Sequence, residues 1–166
     1  MFDYEINNET LAIIPIGETR TKIVECRRNF IVDKNSMEII SNSCEYFGSS
    51  YEGRLIGTKN LIGAKYKSPI IIEEANEIIL FPTSSPRIVN CAWISLNNLK
   101  NYKRHENSTI IMFNNGNLLN LDISYAVVDN QVLRATRLSS ILRLDNLSNQ
   151  VQQSNKYSLN NSLGVL

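Results

Sequence analysis

Residues 44–58 read Cys-Glu-Tyr-Phe-Gly-Ser-Ser-Tyr-Glu-Gly-Arg-Leu-Ile-Gly-Thr. The side chains of Cys44, Phe47, Tyr51 and Leu55 recur at intervals of three or four residues. This spacing is typical of one face of an α-helix that packs against a core. Three glycines and two serines are interspersed with the apolar residues, which is unusual for a helix of this kind.

The glycines in this stretch need a physical reason. A glycine in a helix interior costs about 1 kcal/mol relative to alanine. Gly48 and Gly53 therefore indicate a place where another backbone or a ligand comes very close. Ser43 is a suitable N-cap and Gly57 a suitable C-terminal stop. We predict a glycine-rich helix over about residues 43–57.

Most of the remaining chain carries short apolar, β-branched runs typical of strands. They lie at residues 11–16, 21–26, 29–32, 61–66, 70–72, 77–81 and 90–95. An Asn-Gly pair at 115–116 separates two more apolar runs, which is the strongest short-range signal for a β-hairpin. A second helix is predicted over about 125–144, with Ser124 as N-cap and one apolar stripe, Val128, Val132, Ala135, Leu138 and Leu142. The predicted fold class is α+β, with a largely antiparallel β-sheet and these two helices.

The length of 166 residues favours one domain with a sizeable core. We expect residues 1–145 to form it. The segment 146–166 is rich in Asn, Gln and Ser, so we expect a poorly ordered polar tail.

The first residues include Asp3, Glu5 and Glu9 and no early lysine or arginine, which argues against a signal peptide. No apolar run approaches the ~20 residues that span a bilayer. We therefore expect a cytoplasmic protein with no membrane partner. The three cysteines are far apart and form no Cys-x-x-Cys pair, so we expect reduced thiols without zinc or a disulfide.

Charge is unevenly distributed along the chain. Residues 1–83 carry nine basic and twelve acidic side chains, whereas residues 84–166 carry eight and four. Three windows lack acidic residues and hold Arg54, Lys59, Lys65 and Lys67; Arg87, Lys100, Lys103 and Arg104; and Arg134, Arg137 and Arg143. A basic face and ordinary solvated side chains are both consistent with this pattern.

Catalytic chemistry has little support in the residues. The single histidine, His105, lies in a polar and basic run where an exposed loop is expected, and no motif pairs it with a cysteine. The Gly-Ser-Ser at 48–50 lacks the Gly-Lys-Ser/Thr ending of a phosphate-binding loop. Helix-turn-helix, zinc-finger and basic-zipper patterns are also absent from the sequence. We expect no enzyme activity, metal or cofactor, and the residues alone indicate a β-rich domain with segregated charge.

The sequence resembles the competence transcription factor (ComK) family of Gram-positive bacteria. The match begins with Phe-Gly-Ser-Ser-Tyr-x-Gly-Arg-x-x-Gly-Thr at 47–58. It continues in order through Lys-Ser-Pro-Ile-Ile at 67–71, Ile-Leu-Phe-Pro-Thr at 79–83 and Cys-Ala-Trp-Ile-Ser at 91–95. Further matches lie at 113–116, 123–125 and 130–132, so the resemblance covers roughly residues 5–143.

The resemblance implies a DNA-binding transcriptional activator of genes for DNA uptake and transformation. It implies recognition of paired A/T-rich boxes in double-stranded promoter DNA, largely through the minor groove, by a homodimer or higher homo-oligomer. RNA polymerase is a further candidate partner. Small residues and nearby cations suit close approach to phosphates. The predicted DNA-binding residues are Ser49, Ser50, Arg54, Lys59, Lys65, Lys67, Arg87, Arg134 and Arg137.

Two departures from the family pattern limit what the resemblance implies. Family members continue into a longer charged C-terminal segment, whereas this chain has a short tail with Ser-Asn-Gln-Val-Gln-Gln-Ser-Asn at 148–155. This difference puts control by the family's adaptor–protease system in doubt. An Arg-Ala-Thr-Arg run also stands at 134–137, where a tryptophan is expected. The alternative function is therefore a divergent or truncated paralogue that acts as an interaction protein without binding DNA.

Overall fold

The structure is a computed structural model and describes residues 3–164. These residues form two antiparallel sheets and three helices. The larger sheet has the strand order β3-β2-β1-β6-β5-β4. Its strands are β1 (Thr10–Ile16), β2 (Arg20–Glu25), β3 (Asn29–Val32), β4 (Ile70–Glu73), β5 (Ile78–Pro82) and β6 (Trp93–Ser95). The smaller sheet has the order β7-β8-β9, with β7 (Leu99–His105), β8 (Ser108–Phe113) and β9 (Leu118–Leu121). The helices are α1 (Ser36–Tyr46), α2 (Tyr51–Ile62) and α3 (Tyr125–Leu163).

The larger sheet is buried on both faces, because alternate residues of each strand pack into different cores. Helix α1 and the side chains of Ile13, Trp93 and Leu80 share one core. Helix α3 and the smaller sheet pack with Ala12 and Phe81 in the other. The predicted α+β class and antiparallel sheet are confirmed.

The predicted single glycine-rich helix is wrong in its boundaries, since α1 and α2 are separate helices. Helix α1 ends where Gly48 takes a φ of +81°, a left-handed conformation that favours glycine. The Gly48 N–H donates to the Glu45 carbonyl at 3.0 Å, and the Ser49 N–H to the Cys44 carbonyl at 3.0 Å. Ser50 then begins α2 as its N-cap. Residues 47–50 therefore separate the two helices, although the helical spacing of the apolar residues continues across them.

The predicted caps of that helix are also wrong. Ser43 lies buried inside α1, and the N-cap is Asn35, which forms a capping box with Glu38. Gly57 lies within α2, which ends instead at Gly63 with φ +68°. The predicted apolar face is nevertheless real, because the two helices present its four residues, Cys44, Phe47, Tyr51 and Leu55, to the same core.

The predicted C-terminal helix begins as expected but extends further. The Ser124 side chain accepts from the Val127 N–H at 3.4 Å, and every residue of the predicted stripe is buried. The helix continues past residue 144 to Leu163, and residues 143–164 are exposed. An exposed helical end has little packing to stabilise it, and the expected poor order of 146–166 stays a prediction.

The hairpin around Gly116 is confirmed, with β8 and β9 on either side and a φ of +88° at the glycine. Strand β7 was missed, because its exposed Lys, Arg and His side chains resemble a loop; Tyr102 anchors it by donating to the Asp129 carboxylate at 2.7 Å. The strand expected at 61–66 is instead the end of α2 and a loop. None of the helices within residues 3–164 combines the length and the hydrophobicity of a membrane-spanning segment.

Candidate nucleic-acid interface

A groove of about 820 Å³ lies between helix α2 and two loops, residues 63–69 and 83–92. It brings together four of the predicted DNA-binding residues, Lys59, Lys65, Lys67 and Arg87. All four side chains belong to exposed residues. Residues from 59 to 87 thus meet on one surface, which the sequence windows did not show.

Helix α3 holds the first loop in place. The Gln131 Nε2 donates to the carbonyls of Lys67 at 2.8 Å and of Pro82 at 2.7 Å. Arg134 Nη1 donates to the Tyr66 carbonyl at 2.7 Å. Because Gln131 is only 1% exposed, its two bonds are largely shielded from water and stabilise the loop backbone, and the exposed Arg134 bond adds a third contact. The loop can therefore expose Lys65 and Lys67 without losing its position.

The second loop is closed at its base by Thr83 and Ala92. The Thr83 N–H donates to the Ala92 carbonyl at 2.9 Å, and the Ala92 N–H donates to the Thr83 hydroxyl at 3.2 Å. This pairing places Arg87 at the tip of a short loop on the rim of the groove.

The groove cations keep their charges available. Among residues 3–164 the ion pairs are Arg28–Glu25, Lys34–Asp3, Arg54–Glu74 and Arg143–Glu77. None of them includes a groove cation, and Glu52 is the acidic residue that lines the groove. Four nearby cations facing one carboxylate create a positive potential that attracts a polyanion.

Aromatic and apolar side chains that the sequence interpretation left out also line the groove. Tyr66 is 79% exposed between Lys65 and Lys67, and Tyr51 and Met37 lie on the α-helical wall. A Lys-Tyr-Lys run in an acid-free window was the available signal for Tyr66. Exposed aromatic rings beside cations are suited to contacts with sugars and bases.

Arg54 is positioned differently from the groove residues. Its Nη1 contacts Glu74 Oε1 at 2.7 Å, and its side chain is only 14% exposed. Its Nε is buried without a hydrogen-bond partner in the part of the chain that the structure describes. The ion pair joins α2 to the β4–β5 turn, so the structure supports a positioning role for Arg54. A direct DNA contact by Arg54 stays a prediction.

The two predicted serines lie at the start of α2. The Ser50 Oγ accepts from the Gly53 N–H at 3.0 Å as the N-cap, and Ser49 is half-buried. A Cβ on Gly53 would lie 3.0 Å from the same Ser50 oxygen. The close neighbour of this glycine is therefore the capping hydroxyl, which can shift, rather than another backbone.

The two predicted arginines of α3 lie outside the set of residues that line the groove. Arg134 is half-buried and holds the Tyr66 carbonyl, whereas Arg137 is exposed one turn later. Arg134 thus supports the loop that carries Lys65 and Lys67, and the predicted DNA contacts of Arg134 and Arg137 both stay predictions.

Two of the cysteines, Cys44 and Cys91, are buried. Burial raises the pKa of the Cys44 thiol to about 11, and burial also raises the pKa of Cys91. Both thiols are therefore protonated and unreactive at neutral pH. No group of three His, Cys, Asp or Glu residues within 3–164 could hold a metal ion.

A groove lined by four exposed cations thus lies beside an antiparallel sheet and two loops, and such a charge distribution attracts polyanions. Comparisons with known proteins identify its family. The model of the ComK protein family matches residues 2–146, and the chain belongs to this family. The chain is also 36% identical, over 160 residues, to a competence transcription factor of Bacillus subtilis (strain 168). That alignment covers 94% of this chain and 83% of the relative. No solved structure matches the chain at a significant level.

Proposed function

We propose that this protein regulates transcription of competence genes by binding A/T-rich double-stranded DNA through the groove. The observation that carries the proposal is the convergence of Lys59, Lys65, Lys67 and Arg87 on one surface without ion pairs to the described residues. The family relationship supports the same conclusion, because the Bacillus subtilis relative is named a competence transcription factor.

The groove suits the backbone of a duplex. Phosphate contacts by lysine and arginine supply most of the sequence-independent affinity. Four contacts predict a slope of about −3.6 for log K against log salt concentration. A slope near zero would contradict DNA binding by this surface.

A preference for A/T-rich boxes would come from the shape of the DNA minor groove. A-tracts have a narrow minor groove with an enhanced negative potential, which attracts arginine and lysine side chains. Among the cations of the protein groove, Arg87 lies at the tip of its loop and is best placed to enter the DNA minor groove. A homodimer or larger homo-oligomer would bind paired boxes, and a contact with RNA polymerase would convert binding into activation.

Fluorescence anisotropy with a labelled A/T-rich duplex and a G/C-rich duplex of equal length tests the proposal. We expect Arg87→Gln to weaken A/T binding by about 1–3 kcal/mol and to reduce the preference over G/C. Arg27→Gln is the matched control, because Arg27 is also an exposed arginine and lies in the β2–β3 turn away from the groove. Equal losses for the two variants would contradict the assignment of the groove.

A further inference from the structure

The loop between β5 and β6 exposes two adjacent apolar side chains. Ile88 is 54% exposed and Val89 is 47% exposed, and both follow Arg87 directly. Exposed apolar side chains scattered singly are ordinary on a protein surface. An adjacent pair beside a cation on a projecting loop is less ordinary and indicates a contact surface.

The loop holds this pair in a fixed conformation. The Ile88 N–H donates to the Ser85 carbonyl at 3.0 Å, and the Arg87 N–H donates to the Ser85 hydroxyl at 3.4 Å. The Cys91 N–H then donates to the Ile88 carbonyl at 3.1 Å. Pro86 restricts its own φ, which further limits the first turn. Two successive turns thus fix the backbone of residues 85–91, in which Ile88 and Val89 are exposed.

The loop forms a ridge between two depressions. Pro86 and Arg87 line the basic groove and also a second cleft of about 410 Å³. Ile88 and Val89 line that second cleft, together with Glu18. The apolar pair therefore lies on the side of the ridge that carries Glu18, and Arg87, which borders both depressions, connects the pair to the groove that holds the three lysines.

We infer that this ridge is a wedge that enters the minor groove and inserts Ile88 and Val89 against a base step. The inference rests on the proposed DNA-binding function. Charge complementarity selects DNA as the occupant, because a polyanion that lies across the ridge meets Arg87 directly before the apolar pair and the three lysines of the groove on the other side of the ridge. Apolar wedges of this kind partly unstack a base step, while neighbouring cations hold the flanking phosphates. The ridge thus adds a contact with the bases to the phosphate contacts of the groove.

A series of A/T-rich duplexes tests the wedge, each with 2-aminopurine at one position of the box. The fluorescence of this base rises when it is unstacked. The unchanged protein should raise the fluorescence at one step. The double variant Ile88→Ala/Val89→Ala should lose that rise, although its salt slope stays the same because every cation remains. Ile31→Ala is the matched control, since Ile31 is also 54% exposed and lies on edge strand β3.

The outcomes separate the wedge from the proposed function. If the unchanged protein binds the duplex but never brightens the probe, or if the double variant keeps the rise, the wedge is overturned while DNA binding stands. If the unchanged protein binds no duplex, the proposed function fails and the wedge fails with it. Sedimentation of the double variant completes the test, because a change of oligomeric state without DNA would assign the pair to a second copy of this chain and overturn the wedge.

Discussion

The two ends of helix α2 differ in the environment of their cations, since one cation is mostly buried in an ion pair and the other is exposed. Arg54, near the start, is 14% exposed and bound to Glu74. Lys59, near the end, is exposed and lines the groove. The glycine-rich motif that carries the family resemblance ends at residue 58, just before Lys59. The comparison teaches that the motif arginine is bound to the scaffold, whereas the less conspicuous lysines beyond it keep their charges exposed in the groove.

The same division separates helix α3 from the loop above it. Gln131 and Arg134 bond to the loop backbone, whereas Lys65 and Lys67 leave their side chains exposed. Positioning residues should therefore affect stability first, and groove residues should affect binding alone.

The largest effect on stability is expected for Gln131→Met, which removes the amide but keeps an unbranched side chain of similar size. The carbonyls of Lys67 and Pro82 would each lose a buried donor. We expect a loss of about 2–4 kcal/mol in the free energy of unfolding, measured by urea titration. Ser139→Ala, at a half-buried position on the same helix, is the control and should change little. A Gln131 variant as stable as the original protein would show that these two bonds do not hold the loop.

Arg54→Ala should have the next largest effect. It removes a mostly buried side chain and its bond to Glu74, so we expect a loss of about 1–3 kcal/mol in stability. Lys59→Ala should change stability by less than about 0.5 kcal/mol, since the residue is exposed. The A/T-over-G/C preference of folded Arg54→Ala should be unchanged. A reduced preference with normal stability would reverse the comparison and make Arg54 a DNA-reading residue.

Part of this account was accessible from sequence because its signals are local. The Asn-Gly turn, the Ser124 cap and the apolar stripe of α3 each depend on a few neighbouring residues, and all are confirmed. The break after α1 was not accessible, because helical spacing continues across Gly48 and Ser49. Strand β7 was missed for a related reason, since its side chains are mostly exposed.

The candidate site shows the same limit. The acid-free windows predicted the groove cations individually, but only tertiary packing brings residue 59 beside residue 87. The burial of Arg54 and its contact with Glu74 depend on a turn that lies twenty residues away in sequence. No local sequence pattern indicates this contact.

Single groove substitutions should give smaller effects than the scaffold variants. Lys65→Gln and Lys67→Gln should each weaken DNA binding about tenfold or less at low salt, with unfolding midpoints unchanged. Anisotropy and urea titration on the same samples check this. A loss of stability that accompanied the loss of binding would place these lysines in the scaffold as well.

The smallest effect concerns the thiol of Cys44 in α1. Cys44 packs in the same core as Tyr51 at the start of α2, so its reactivity reports on the end of α2 that Arg54 joins to Glu74. Burial raises its pKa to about 11, so the protonated thiol should react with iodoacetamide very slowly at pH 8. The sign follows from the shift: a raised pKa keeps the thiol protonated below about pH 11, and reactivity grows as pH rises toward that value. The Arg54 charge lowers the pKa of Cys44, so its loss from an intact scaffold should slow the labelling. We expect Arg54→Ala instead to speed the labelling of Cys44, as followed by mass spectrometry, because loss of the Glu74 bond loosens the core around α2, and we expect no such change in Lys59→Ala. Equal rates in the two variants would show that Arg54 does not anchor this end of α2.

The most direct test of the groove is the salt dependence of DNA affinity in two matched triple variants. One neutralises Lys59, Lys65 and Lys67 in the groove, and the other neutralises the exposed Lys100, Lys103 and Arg104 of strand β7, all to glutamine. Each phosphate contact contributes about 0.9 to the slope of log K against log salt, so the groove variant should flatten the slope by about 2.7. The β7 variant should keep the slope of the unchanged protein. A flattened slope for the β7 variant, with the groove variant unchanged, would contradict the account and move the DNA interface to the smaller sheet.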